Sequence, residues 1–144
     1  MSDNIDEVLR ALERKRQKMH FGVKVAVRRA SLAAVNEIQK TILPVYNDGH
    51  RRDDGRTTDA AVGGPPMQRT GNLRRSIRAS EPVSEGFGTW YATAGPGAVY
   101  ARALELGMGK TGVTYPFMEP ARKRLIASGK LARIYANAMR KAME

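Results

Sequence analysis

The segment GMGKTG, residues 107–112, places a lysine among glycines, a composition that can cradle phosphate groups. A nucleotide-binding P-loop requires a second glycine five positions before the glycine that precedes the lysine. The glycine before Lys110 is Gly109, and the position five residues earlier is Leu104. We therefore interpret the segment as a glycine-rich turn or hairpin, and not as a phosphate-binding loop.

The remaining residues with catalytic or metal-binding chemistry are two histidines and a group of aspartates. His20 and His50 lack the spacing of a metal-binding pair, and neither is visibly paired with a nucleophilic serine. The chain has no cysteine, so thiolate catalysis and cysteine-ligated metal are excluded. Four aspartates alternate with arginines that would neutralise them: Asp48, Asp53, Asp54 and Asp59. We predict a protein without enzymatic activity, cofactor or metal.

The charge balance is strongly basic, with 25 Lys+Arg against 14 Asp+Glu and a net charge of +11. A single basic cluster is typical of a solvated helix face, but here the bias recurs in two helical segments. Residues 4–43 carry nine bases against four acids, and residues 117–144 carry seven against two. The charge suits a polyanionic partner, and nucleic acid, an acidic protein surface and a charged membrane face all qualify. The recurrence in two helices is what a protein lining a DNA passage would show, and no motif for sequence readout accompanies it. The clustered bases are Lys24, Arg28, Arg29, Arg122, Lys123, Arg124, Lys130 and Arg133.

Length and hydropathy indicate one soluble domain. A chain of 144 residues with 42% hydrophobic residues has the size of a single domain that can bury a core. No apolar run approaches the roughly 20 residues that a membrane span requires. The first ten residues, MSDNIDEVLR, are acidic and amphipathic, unlike a signal peptide. We expect a soluble intracellular protein, or one released by lysis, with no membrane partner.

Residues 4–43 are predicted to form a helix that Pro44 ends. Its first apolar residues follow the i, i+3, i+4, i+7 rule: Ile5, Val8, Leu9 and Leu12. One continuous helix of this length would span about 60 Å, more than a compact domain of this size. Either the helix breaks near Phe21-Gly22, or its first part projects from the domain. A projecting amphipathic helix needs a partner for its apolar face, which suggests an oligomer.

The rest of the chain completes an α+β domain that covers residues 1–144. Residues 45–69 have the composition of a loop, which we expect to be mobile. Residues 76–83 and 88–96 are predicted to be strands of a small antiparallel sheet. The pattern of residues 99–107 fits either a short helix or a strand. Residues 117–143 are predicted to form a long C-terminal helix with a weak point at Gly129.

Three motifs in this order resemble one family of viral proteins. They are TGNLRRSI at residues 70–77, VYARALELG at 99–107 and YPFMEPA at 115–121. With a basic helix before and a helix after them, they resemble the HK97 gp10-like family, the neck or tail-completion proteins of tailed bacteriophages. The long loop before the first motif and the segment MGKTGVTY depart from the family's pattern. The positions that carry the resemblance are Thr70, Gly71, Leu73, Ile77, Tyr100, Gly107, Pro116, Phe117 and Pro120.

The resemblance implies a structural virion protein that forms a ring at the head–tail junction, around the channel through which the genome leaves. Its partners would be copies of itself in a sixfold ring, the head-completion, tail-terminator and tail-tube proteins, and passing DNA bound without sequence preference. Its location would be the neck or tail of the virion, and the host cytoplasm during assembly. Three alternatives stay open: a tail terminator that caps the tail tube, an assembly factor absent from the particle, and a non-virion DNA-binding protein.

The resemblance also suggests roles for residues 70–78. We expect Gly71 to form a turn, and Leu73 and Ile77 to dock on the core. The arginines of this stretch would face outward and contact either a neighbouring subunit or DNA: Arg74, Arg75 and Arg78. Glu105 is a candidate ion-pair partner for one of them across a subunit interface. The clustered bases from Lys24 to Arg29 and from Arg122 to Arg124 are candidates for the channel lining.

Overall fold

Helices and short strands follow one another in an α+β order, as predicted. The computed structural model describes residues 2–42, 66, 71–108 and 112–144. The predicted helix end at Leu43 and Pro44, the loop at 45–69 except Pro66, Thr70, and Gly109 to Thr111 lie outside the described residues. The helices are α1 (Ser2–Thr41), α2 (Asn72–Ser76), α3 (Ala101–Leu106), α4 (Met118–Ala127) and α5 (Lys130–Met143). The strands are β1 (Ile77–Ala79), β2 (Val83–Gly86), β3 (Thr89–Tyr91) and β4 (Ala94–Pro96).

Helix α1 is continuous over 40 residues, so the alternative of a break near Phe21-Gly22 is wrong and the projecting helix is observed. Gly22 is buried at a close approach of α5. A methyl group at Gly22 would lie 2.8 Å from Cβ of Ala142 and 3.0 Å from the sulfur of Met139. Gly22 therefore allows α5 to pack closely against α1, and it does not end α1.

The four strands form one long, interrupted antiparallel hairpin. The outer pair β1–β4 aligns Ile77 with Pro96, and the inner pair β2–β3 aligns Val83 with Tyr91. Between the pairs, the backbone N–H of Ser80 donates to the carbonyl of Thr93 at 2.8 Å. The predicted strands at 76–83 and 88–96 are confirmed, each divided into two short pieces.

The C-terminal region is helical, as predicted, and is divided into two helices. Gly129, at the predicted weak point, adopts the left-handed conformation with φ 65°, which separates α4 from α5. Residues 99–107, which were compatible with helix or strand, form α3 and end at Gly107 with φ 67°. Both breaks occur at glycines because glycine adopts positive φ without steric cost.

The core lies where α1, the base of the hairpin, α3 and α4 meet. Phe117 is completely buried at its centre. The other members of the buried cluster are Ile38, Ile42, Leu73, Ile77, Ala101 and Ala121. Helix α5 packs along α1 and extends the contact towards Gly22. No helix in the described ranges is both long and apolar enough to cross a membrane.

Candidate nucleic-acid and assembly surfaces

Residues 71–78 form a structural corner with an outward-facing basic side. Gly71 has φ 77° and precedes α2, whose Leu73 is buried. Ile77, the first residue of β1, is 3% exposed, so the predicted docking of Leu73 and Ile77 is confirmed. The three arginines of this corner are exposed, as predicted: Arg74, Arg75 and Arg78. Whether they contact a subunit or DNA stays a prediction.

Glu105 holds the start of α4. One carboxylate oxygen accepts hydrogen bonds from the backbone N–H groups of Phe117 at 2.7 Å and Met118 at 3.0 Å. The other oxygen accepts one from the N–H of Glu119 at 3.0 Å. The first N–H groups of a helix have no carbonyl partner within the helix. A negative charge at this position also interacts favourably with the positive end of the helix dipole. Glu105 thus has a role within the chain, and its inter-subunit ion pair stays a prediction.

The bases of α4 are compensated by acids of the same chain. The guanidinium of Arg122 donates two hydrogen bonds to the Glu119 carboxylate, both at 2.8 Å, and Lys123 lies 3.8 Å from it. Arg124 pairs with Glu37 of α1 at 3.0 Å. The hydrogen bond from Arg122 lowers the pKa of Glu119 below its usual value and raises the pKa of Arg122. These three bases therefore present less net charge than their sequence suggests.

Two of the three candidate bases of α1 also have partners in the chain. The ammonium of Lys24 lies over the Trp90 ring, 5.7 Å from its centroid, in a cation–π contact. Arg28 forms an ion pair with Glu81, which precedes β2. These contacts fix the hairpin along α1. Arg29 is exposed, and its side chain forms no ion pair with any described residue.

Helix α5 carries a basic surface of which the sequence analysis named only Lys130 and Arg133. At 3.6 residues per turn, Arg133, Asn137 and Arg140 fall on the side turned away from the buried Ala138, and Lys130 and Lys141 lie at the border of that side. No acid occurs between Lys130 and Met143, and no ion pair reaches these bases from the described acids. Arg133 and Arg140 donate only to neutral oxygens. We name this surface the α5 basic face: Lys130, Arg133, Asn137, Arg140 and Lys141.

The signal for this face was present in the sequence. When charges are grouped by adjacency in the sequence, the run from Arg122 to Arg124 stands out, but acids of α1 and α4 compensate it. Grouping by helical periodicity finds Lys130, Arg133 and the pair at 140–141 on one side of a helix. The pairing of Arg124 was not readable, because Glu37 is 87 positions away. The pairing of Arg122 and Lys123 was readable, because Glu119 precedes them by three and four positions on the same helix.

The first part of α1, residues 3–19, extends beyond its packing partners and is called the arm. All its residues are exposed. Its apolar side continues the face on which Gly22 and Ala26 are buried under α5. The apolar side chains of the arm are 49% to 63% exposed: Ile5, Val8, Leu9, Leu12 and Met19. Most of the stability of a helix in a protein comes from the packing of its amphipathic face, so the arm is suited to contact another molecule.

Candidate metal ligands do not cluster in the part of the chain that the structure describes. No group of three or more His, Asp or Glu side chains in the described ranges could hold a metal ion. His20 is half-buried beside the hairpin, and His50 lies outside the described residues. Compared with known proteins, the chain matches no protein-family model, no curated protein and no solved structure.

Proposed function

We propose that this chain is a structural virion protein of a tailed bacteriophage that forms a ring at the head–tail junction, around the DNA channel. The observation that carries the proposal is the convergence of the three motifs. Leu73 and Ile77 from the first, Ala101 from the second, and Phe117 and Ala121 from the third belong to one buried cluster. The ordered motifs are therefore one physical unit, which supports the resemblance to neck and tail-completion proteins.

The second support is the surface that a lone protomer leaves uncovered. The arm presents an apolar side that no described part of the chain covers. Ring neighbours would bury it, and cyclic packing repeats one heterologous contact until the ring closes. About six copies would form the ring, stacked on the head-completion, tail-terminator or tail-tube proteins. Assembly would occur in the host cytoplasm, and the protein would remain in the virion without catalysing a reaction.

The α5 basic face supports the contact with DNA. The four basic side chains of this face pair with no acid among the described residues, and they attract phosphates whatever the DNA sequence. DNA that moves through a channel must not bind tightly to its wall. A surface that makes only a few phosphate contacts would therefore suit a channel lining. We propose that this face, and not the compensated bases of α4, lies towards the passing genome.

The same face favours a second candidate, a DNA-binding protein that acts in the cell and is absent from the particle. Such a protein would also bind DNA without sequence preference, in proportion to its phosphate contacts. It gives no role to the exposed apolar arm. A tail terminator is a variant of the first proposal, because it differs only in the layer of the particle that the ring occupies.

Quantitative mass spectrometry of purified virions tests the proposal. Isotope-labelled peptides of this chain and of the major tail protein would give the number of copies in each particle. The phage should be compared with a preparation purified again through a density gradient, which removes adsorbed DNA-binding protein. About six or twelve copies that persist after the second gradient are expected for a closed ring. Absence, or loss in the second gradient, would overturn the virion proposal and favour the cellular DNA-binding protein.

A further inference from the structure

The arm has the apolar spacing of a helix that packs along a second helix. Ile5, Val8, Leu12 and Met19 are separated by three, four and seven residues, which is the repeat of paired helices. We call these four positions the seam, and all four side chains are exposed. Lys15 also falls on the seam, and a single polar residue there can set the register of a pair at a cost in stability. The spacing therefore favours a helix as the partner of the arm.

Helix α5 shows how a helix lies against the continuation of the seam. The seam spacing continues through Gly22 and Ala26, which are both buried. Arg124, shortly before α5, pairs with Glu37, whereas Ala142 near the end of α5 meets Gly22. This part of the chain therefore runs antiparallel to α1 and reaches the point where the arm begins. A second helix that continues α5 in the same direction would cover the seam and would lie antiparallel to the arm.

The charges of the arm favour the same antiparallel direction. Residues 3–9 contain three acids and no base, whereas residues 10–19 contain five bases and one acid. Two parallel arms would place acid beside acid and base beside base. Two antiparallel arms place each acidic half against a basic half. Among the described residues, the arm forms one ion pair of its own, between Glu13 and Arg16 at 3.6 Å. Its three acids at residues 3–9 are therefore available to a second copy.

The charges also match on each side of the seam. At 3.6 residues per turn, Asp6 and Arg16 fall on one side of the seam, and Glu7 and Lys18 fall on the other. A twofold axis between two antiparallel helices brings the same side of each helix together. Each acid of one arm therefore lies on the side that carries bases in the other arm.

We propose that the arms of two copies pair in antiparallel orientation, so that each covers the seam of the other and continues the direction of the other's α5. Such a contact is isologous and closes at two copies. The dimer is therefore a form of the unassembled chain and does not rest on the proposed function, and ring neighbours would take the place of the second arm when a ring forms. The overlap is about 25 Å long. An interface of this size is small, so we expect a Kd of roughly 1 to 100 μM.

Sedimentation equilibrium of the full chain tests the pairing. The wild-type chain should be a dimer at about 1 mM and should dissociate on dilution. Leu12→Glu places a charge in the seam and should weaken association at least about 100-fold, while Trp90 fluorescence stays unchanged because the arm lies outside the core. Ile126→Glu is the matched control, since Ile126 is as exposed as Leu12 but lies on α4. A monomeric wild type at about 1 mM, or a Leu12→Glu chain that associates like wild type, would overturn the pairing.

Disulfide crosslinking tests the direction, because the chain has no cysteine of its own. Asn4 and Lys18 lie on the same side of the seam, near opposite ends of the arm. In an antiparallel dimer, Asn4→Cys of one copy meets Lys18→Cys of the other. A mixture of the two variants should therefore form the mixed disulfide under mild oxidation, and neither variant alone should crosslink. Crosslinking of each variant with itself, or no mixed disulfide, would overturn the antiparallel direction.

Reversing the acidic half tests the charge match separately from the apolar contact. Asp6→Lys combined with Glu7→Lys leaves the seam intact and should weaken association about 10-fold at low salt, with a smaller effect at about 0.5 M salt. Glu85→Lys on the hairpin is the control and should associate like wild type. Association of the double variant as tight as that of wild type would contradict the charge match.

These solution measurements are independent of the copy number in virions. A dimer in solution with no copies in the particle would refute only the neck ring. A monomer in solution with six copies in the particle would refute only the pairing of the arms.

Discussion

The Glu105 carboxylate accepts a hydrogen bond from the backbone N–H of Phe117 at 2.7 Å. This bond joins α3 to the start of α4, twelve residues later in the chain. The same group accepts the N–H groups of the next two residues. Phe117 is the most buried side chain of the core. The hydrogen bonds therefore fix the point at which the central aromatic residue enters the core and α4 begins.

Replacing Glu105 is expected to destabilise the fold. Glu105→Ala leaves three N–H groups without their acceptor, and should lower the free energy of unfolding by about 2 to 3 kcal/mol. Glu105→Gln keeps one acceptor oxygen and loses the charge, and should lower it by about 1 kcal/mol. Urea unfolding followed by Trp90 fluorescence measures both values. Glu85→Ala on the exposed hairpin is the control, and a Glu105→Ala effect no larger than that of the control would contradict the capping role.

Gly22→Ala should destabilise the protein although alanine is the better helix former. Alanine favours the helix by about 1 kcal/mol, but its methyl group would lie 2.8 Å from Cβ of Ala142 and force α1 and α5 apart. Such overpacking costs about 1 to 3 kcal/mol, so we expect a net loss of about 1 kcal/mol in urea unfolding.

Asn36→Ala in the same helix is the control for Gly22. Asn36 is exposed, so the substitution should add a few tenths of a kcal/mol through helix propensity alone. A stabilising effect of Gly22→Ala similar to that of Asn36→Ala would mean that α5 does not approach α1 as closely as described.

Neutralising the α5 basic face should weaken DNA binding. A chain with Arg133→Gln, Arg140→Gln and Lys141→Gln loses phosphate contacts equally for every DNA sequence. The slope of log affinity against log salt concentration should fall by about 1 for each base that contacts a phosphate, up to about 3. Fluorescence anisotropy with two unrelated duplexes at several salt concentrations measures the slope.

Helix α4 provides a control with the same change in net charge. Arg122→Gln, Lys123→Gln and Arg124→Gln remove bases that Glu119 and Glu37 already compensate, so the salt slope should change by less than about 1. If the salt slope falls more in the α4 variant than in the α5 variant, DNA contacts α4 and not α5. A strong preference for one duplex would refute the nonspecific mode.

The ion pair between Arg122 and Glu119 should be visible in a pH titration. Arg122 lowers the folded-state pKa of Glu119 below its unfolded value, so the stabilisation is present above the unfolded pKa and is lost as the pH falls through the folded pKa. Arg122→Gln should raise the pKa of Glu119, as followed by the NMR shift of its carboxyl carbon. Lys130→Gln on α5 should leave it unchanged. An unchanged pKa in Arg122→Gln would exclude the ion pair in solution.

Local patterns in the sequence were enough for most of the fold. The apolar spacing of α1, the strand-forming residues around Trp90 and the weak point at Gly129 all act over a few neighbouring residues. The same glycine reasoning was wrong at Gly22, because a glycine within a helix has two uses. It can end the helix, or it can let another helix approach, and only the position of α5 distinguishes them.

The sequence by itself determined the α+β order of elements, the basic excess and the burial of Leu73 and Ile77, because periodicity and charge are local properties. The tertiary structure decided which bases remain uncompensated and which acid holds α4. Arg28 forms an ion pair with Glu81, which is 53 positions away in the sequence, and Arg124 forms one with Glu37, which is 87 positions away. Such pairs depend on how whole elements pack, since a charge interacts with what lies within a few ångströms and not with what is near it in the chain.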